Sequence, residues 1–391
     1  MQIIYLHFNS GRFFKGAPTE DDSFFTYGFP SRSARLIKKY YPDYHIEVWR
    51  LSCTSKKYYE KTISNINYKV FPSIQIKGIF DFSFSAVGEL RRKTKKECTI
   101  IYLSSLHYGL TYLIAFLFKN KKIIVQDYGE LPPKYKLSHN KGLKKLYLYL
   151  QLFIEKYAFK DIDLICPGDI NKIQYILETQ PKAKYKFVHP VGIELAHFPI
   201  ISKNEAKSLL GWNLNTKYIL YIGRLDDVKH IDKLINIWNE IKNNQPNVDL
   251  VFIGGFETDK YYSMAKEAGV KLFDRMLNTD LYRYYCAADV YVLLGLDNIK
   301  FGGIGIAVTE SLACGTPVVS SNLRNFIGGD ITGIGEAPAT IEEHKEAIIK
   351  VLSSPQNYLN CRKAIEKYYS NEAIAVKLNE LFLSILDGAE S

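Results

Sequence analysis

Two segments in the second half of the chain carry side chains suited to a phosphorylated ligand. The first is Tyr218-Ile-Leu-Tyr-Ile-Gly-Arg-Leu-Asp-Asp-Val-Lys-His-Ile-Asp232. Its apolar run reads as a strand ending at Ile222. Gly223 allows close backbone approach, Arg224 follows, and Lys229 stands just before a helix-period stretch. A strand end with an Arg fork, a Lys point charge and a helix N-terminus is a good anion site. The second segment runs from Lys300 to Val319. Gly302, Gly303 and Gly305 alternate with Ile304 and Ile306 ahead of a helix that carries Glu310. Glycines there expose backbone N–H groups, which together with the helix dipole can hold phosphate. Glu310, about one turn into the helix, can accept hydrogen bonds from sugar hydroxyls. A tight strand–helix turn with Glu310 on a solvated face is the plainer alternative.

These groups need elements to hold them, and the hydrophobic pattern supplies two series. Gln2–Phe8, His45–Leu51, Thr99–Ser104, Lys122–Gln126, Asp163–Cys166 and Lys186–Val188 read as strands, with helices over Ser31–Tyr41, Gly109–Phe118 and Leu143–Phe159. Pro and Gly interrupt the pattern at His189-Pro190-Val191-Gly192 and Phe198-Pro199, which puts a domain boundary near 190–203. The alternation then restarts with strands at Tyr218–Ile222, Asp249–Ile253, Leu272–Asp274, Val290–Leu294 and Pro317–Ser320, and three helical segments finish the chain. Serial βαβ alternation predicts an α/β protein of two Rossmann-like parallel-sheet domains facing a cleft, with ligands outside the carboxyl ends of the strands.

Taken together, Gly-Arg-Leu…Lys, Ala288-Asp-Val-Tyr-Val292 and Gly-Ile-Gly…Glu310-Ser-Leu-Ala-Cys-Gly-Thr-Pro-Val-Val319 resemble the donor domain of the group 1 (family 4) retaining glycosyltransferases. Pro190-Val-Gly-Ile-Glu-Leu-Ala-His-Phe-Pro199 resembles that family's interdomain segment. The likeness covers roughly 186–350. It implies the GT-B architecture, with an acceptor-binding domain over 1–200, a donor-binding domain over 201–370, and a helix over 371–391 crossing back. The implied reaction moves a sugar from a nucleoside diphosphate to a glycan or lipid-linked acceptor, in surface polysaccharide assembly, without metal or other cofactor. An epimerase or a non-catalytic partner of the same fold is the alternative. By the resemblance, Arg224 and Lys229 bind the donor diphosphate and Glu310 the ribose; these three form the catalytic set. Gly223, Arg275, Met276 and Gly302–Ile306 are substrate-binding candidates. The family's first Glu of its Glu-x7-Glu motif falls at Gly302, a departure that puts donor choice and activity at issue. In the first domain Asp127 or Tyr128 stands where many relatives have a His near the donor sugar, and Gly11 loosely represents the Gly-rich first loop. His107 is a further candidate, though a lone His is more often structural.

Composition narrows the class. The 391 residues are 47% hydrophobic and 24% charged, which excludes a disordered chain or a fibre. Lys plus Arg exceeds Asp plus Glu by 51 to 41, a net charge of +10, which favours anionic partners. The basic runs at Arg91–Lys96, Lys119–Lys122 and Lys141–Lys145 fit solvated helix ends or a peripheral contact with an anionic membrane. No nucleic-acid-binding motif is recognisable. Six cysteines without Cys-x-x-Cys spacing, and an N-terminus lacking the basic head and long apolar core of a signal peptide, lead us to expect a cytoplasmic protein with reduced, buried thiols.

Overall fold

The computed structural model describes residues 1–7, 23–26, 28–76, 80–95, 98–255, 259–295 and 302–386; Gly11 lies outside them. The chain forms two compact units, Met1–Gly192 with Ile374–Ser391, and Ile193–Ala373.

The first unit holds β1 (Gln2–His7), β2 (His45–Ser52), β3 (Tyr59–Ile63), β4 (Ile66–Pro72), β5 (Ile74–Ile76), β6 (Phe80–Phe82), β7 (Thr99–Ser104), β8 (Lys122–Gln126) and β9 (Leu164–Cys166). Seven of them make one sheet in the order β3-β4-β2-β1-β7-β8-β9. All its pairs are parallel except the β3–β4 hairpin. The helices Phe29–Tyr40, Gly109–Leu117 and Gly142–Ala158 lie in the crossovers. Covered on both faces, the central strands carry apolar runs, Ile3–Leu6 in β1 and Ile100–Leu103 in β7, and β7 is buried at every residue. The last helix, Asn371–Leu386, buries Ile374, Leu378, Leu381 and Phe382, and the Phe382 ring lies 6.1 Å from that of Tyr102. The expected strand Lys186–Val188 does not form. Lys186 makes one backbone bond to Ile165, and the ladder stops short of Pro190, which has no N–H to offer.

The second unit holds β10 (Lys217–Ile222), β11 (Val248–Ile253), β12 (Lys271–Phe273), β13 (Val290–Leu293), β14 (Val318–Ser320) and β15 (Gly335–Glu336). They pair in parallel in the order β12-β11-β10-β13-β14-β15. Counted along the chain this is the Rossmann order 3-2-1-4-5-6, and it reverses between β10 and β13. The helix Ile231–Asn244 shows why the layers adhere. Ile231, Leu234, Ile235, Trp238 and Ile241 recur at helical spacing and are buried. Each such side chain contributes about 1.5–3 kcal/mol by leaving water. The Trp238 indole, which would be costly to bury unpaired, donates to Val248 O at 3.0 Å.

Among the described residues no helix is long and apolar enough to cross a membrane. All six cysteines are free, and Cys53 and Cys98 are exposed, against the expectation that the thiols are buried.

Candidate functional site

In the second unit the sequence-predicted residues follow the carboxyl ends of neighbouring strands. Gly223 and Arg224 come directly after β10, Arg275 and Met276 after β12, and Gly302–Gly305 lie between β13 and the helix Ile306–Ala313, which Ile306 opens. They therefore share one edge of a single parallel sheet. β10 and β13 are the pair at which strand order reverses, the place where open parallel sheets bind ligands.

Backbone bonds brace that edge. Gly223 N donates to Ile253 O at 3.0 Å, Leu225 N to Gly255 O at 3.1 Å, and Gly254 N to Phe273 O at 3.1 Å. Gly254 has φ +154°, and a Cβ there would run into Gly223 O. Only glycine allows the β10 and β11 ends to lie this close.

The turn after β10 is built by Asp226. Its side chain caps the short 3-10 turn Asp227–Lys229 by accepting from Lys229 N at 3.1 Å. Its other oxygen, Oδ2, lies 3.3 Å from Arg224 Nη1, while the Arg224 side chain stays 64% exposed. His230 then adopts the left-handed conformation, φ +53°, and Ile231 opens the long helix. Burial lowers the Lys229 ammonium from its ordinary range; Asp226 opposes that and Arg224 adds to it. A bound anion would relieve both the lost hydration and the repulsion between the two cations. The His230 imidazole is itself buried, and its Nε2 has no hydrogen-bond partner among the described residues.

The glycine loop enters the second helix through Gly303 and Gly305, at φ +66° and +86°. Gly302 is exposed, Ile304 is buried, and Gly305 is the N-cap residue. Glu310 does not sit on a solvated face. It is 5% exposed, and its Oε2 accepts from Tyr285 OH at 3.0 Å. Burial and then the Glu310 charge raise the Tyr285 phenol well above its ordinary value, so it stays a donor. Sequence reasoning missed Tyr285, since nothing in its spacing marks a tyrosine on the preceding helix as a carboxylate clamp. Asp226 carried a readable signal: an Asp three residues before Lys229 is the spacing of a side-chain cap.

Asp127 and Tyr128 belong to the first unit, after β8. The Asp127 carboxylate is taken up in shaping the turn. Its Oδ1 lies 3.3 Å from Lys172 Nζ in a fully buried ion pair, and its Oδ2 accepts from Gly168 N at 3.2 Å. The Tyr128 ring stacks on Phe29 with centroids 5.3 Å apart. Its hydroxyl is buried without a hydrogen-bond partner among the described residues, and burial raises its pKa well above the ordinary value. Tyr128 can donate to a ligand and cannot serve as a base at neutral pH. His107 lies in a buried polar cluster, with Nδ1 2.7 Å from Glu155 Oε1; Tyr112 and Tyr175 bond the same carboxylate. Among the described residues no three His, Cys, Asp or Glu side chains converge as metal ligands.

Residues 202–368 match the model of the Glycosyl transferases group 1 family. The chain is thus similar to the group 1 glycosyltransferases over that segment. The match takes in Gly223–Lys229, Arg275, Met276 and Gly302–Glu310. Over 181 residues the chain is 25% identical to D-inositol 3-phosphate glycosyltransferase of Segniliparus rotundus, covering 43% of this chain and 39% of that protein. Over 190 residues it is 28% identical to alpha-monoglucosyldiacylglycerol synthase of Streptococcus pneumoniae, covering 44% of this chain and 41% of that protein. The chain thus spans about two fifths of the length of these curated relatives. Whole-chain similarity comes from solved structures. Sucrose-phosphate synthase of Thermosynechococcus elongatus superposes with a TM-score of 0.68 at 16% identity, over 100% of both chains. Anabaena HepE, solved in complex with UDP, gives 0.66 at 13% identity, over 98% of this chain and 100% of that one. The fold of the two parallel-sheet units is therefore GT-B.

Proposed function

We propose that the protein is a retaining glycosyltransferase that moves a sugar from a nucleoside diphosphate to a hydroxyl of a glycan or lipid-linked acceptor, acting in the cytoplasm in surface polysaccharide assembly. One observation carries this reading. Arg224, Lys229 and the glycine loop ahead of the helix Ile306–Ala313 stand at adjoining strand ends, where strand order reverses. The group 1 family match over those residues, and the UDP present in the HepE structure, support a nucleoside diphosphate as the anion.

In this mechanism the bond from the anomeric carbon to the diphosphate oxygen breaks, and the acceptor oxygen bonds to the same face of the sugar. The departing phosphate takes the acceptor's proton. Arg224 and Lys229 offset the charge that develops on the diphosphate, and the N–H groups of the glycine loop add fixed dipoles. Glu310, held by Tyr285, faces the ribose. Two side-chain cations are enough for this, so the reaction is proposed to run without metal. The test is incubation with a panel of uridine, guanosine and adenosine diphosphate sugars, with and without EDTA, followed by NMR of the product. Transfer with the donor's anomeric configuration kept, in EDTA, supports the reading. Inversion, C-2 or C-4 epimerisation, or a complete loss restored by divalent metal refutes it.

A further inference from the structure

The helix Gly142–Ala158 of the first unit carries an apolar face on the side away from its buried one, where a surface helix ordinarily turns polar residues to solvent. Its inner stripe includes the buried Leu148, Gln151, Glu155 and Ala158. Its outer stripe is Leu143, Leu146, Leu150, Phe153 and Tyr157, at alternating intervals of three and four residues. These are 86%, 66%, 54%, 60% and 56% exposed. Phe116, on the helix Gly109–Leu117, is 70% exposed. A groove of about 540 Å³ opens between the two helices, with Leu113, Phe116, Tyr147 and Ile154 in its walls. Exposed apolar surface of this extent marks an interaction site.

Charge identifies the partner. Lys141, Lys144, Lys145 and Lys156 are exposed on or beside this helix. The helix has one acidic residue, Glu155, which is fully buried under His107, Tyr112 and Tyr175; Asp161 is half-buried at the end of the groove. The outward surface of the helix is thus apolar and cationic. A symmetric pairing with a second copy would set lysine against lysine. The face is also wider than a pairing seam, since Tyr149 and Ile154 flank the stripe at 53% and 37% exposure. A broad apolar face with aromatic residues and flanking lysines fits the interfacial region of an anionic bilayer.

We propose that this face seats the protein on an anionic lipid bilayer, with the helix lying in the membrane plane and the groove beside it receiving a lipid hydrocarbon chain. The outer stripe supplies apolar burial, and the lysines select negatively charged headgroups.

The test is flotation of the full chain with phosphatidylcholine vesicles, with and without phosphatidylglycerol. Wild type is expected to float with the phosphatidylglycerol vesicles and to be released by salt. The triple variant Leu146→Glu/Leu150→Glu/Phe153→Glu should lower the partition at least about 10-fold, because three apolar anchors are lost and charge is reversed. Its circular dichroism and melting temperature should stay near wild type, since all three side chains are exposed. Lys144→Ala/Lys145→Ala should erase the preference for phosphatidylglycerol, and this variant decides the matter if the triple variant misfolds. Wild type that floats with neither vesicle, variants that float like wild type, or self-association abolished by the triple variant without any flotation would overturn the proposal. No nucleotide sugar is present in this assay, so its failure and the failure of the transfer reading are separate results.

Discussion

Tyr285 donates its hydroxyl to Glu310 Oε2 at 3.0 Å, and both side chains are buried. The bond joins the helix Asn278–Ala287 to the helix that follows the glycine loop, and it fixes the carboxylate proposed to meet the ribose. Tyr285→Phe keeps the ring and removes the bond. A hydrogen bond to a charged group contributes about 1.5–3 kcal/mol, so thermal unfolding should show a clear loss of stability. Nucleotide affinity should fall less than in Glu310→Ala, because the carboxylate remains. Equal losses in the two variants would show that Glu310 acts only through Tyr285.

Gly254→Ala should be damaging out of proportion to one methyl group. Its φ of +154° is a conformation that L-residues rarely adopt, and the new Cβ would meet Gly223 O. Strain of this kind costs about 1–3 kcal/mol. Thermal denaturation should show the loss, and donor binding should weaken with it, since the displaced strand end carries Arg224. A variant as stable as wild type would contradict the described packing.

Acid should weaken the first unit before its carboxylates titrate. Burial, with Arg50 adding to it, lowers His7 to about 3; burial lowers His189 to about 4, partly opposed by its bond to Val191 O. Unfolded, each titrates near about 6.5. Both are neutral in the fold, so their contribution is whole above that value. It declines as pH falls, because the unfolded chain then binds protons the folded chain refuses. Urea denaturation at a series of pH values should show stability falling from about pH 6.5 toward pH 4. His7→Asn should flatten the slope. An unchanged slope in that variant would assign the effect elsewhere.

Gly302→Glu restores the family's usual residue, yet we expect it to reduce transfer of the native sugar. Gly302 is exposed at the mouth of a loop whose next turns, at Gly303 and Gly305, are left-handed. A loop built this way contributes backbone groups, and a side chain at its entrance intrudes on the donor. Steady-state transfer by the folded variant checks this, and a rate above wild type with the same donor would contradict it.

The long parallel strands and their helices were legible because burial on both faces writes unbroken apolar runs, as in β7, β8 and β10. Elements without that imprint were not. The β3–β4 hairpin turns on Ser64 and Asn65, with φ +50° and +59°. That is the positive-φ pair of a tight hairpin, but in place of the Asn-Gly that usually announces one. β15 is two residues long and β5–β6 is a three-residue ladder, too short for any period. At the site, Arg224, Lys229 and the glycine loop could be read because strand-end position and residue type agree. The inward turn of Asp127 could not, because it depends on Lys172 and Gly168, more than forty residues away in sequence.

The central claim is that Arg224 and Lys229 hold the diphosphate of a nucleotide sugar at the β10–β13 crevice. Calorimetric titration of wild type, Arg224→Ala and Lys229→Ala with nucleoside diphosphates, beginning with UDP, tests it most directly. Each lost charged bond should weaken binding by at least about 10-fold, at about 1.4 kcal/mol per decade. Unchanged affinity in both variants, or a wild type that binds no nucleoside diphosphate, would contradict the account.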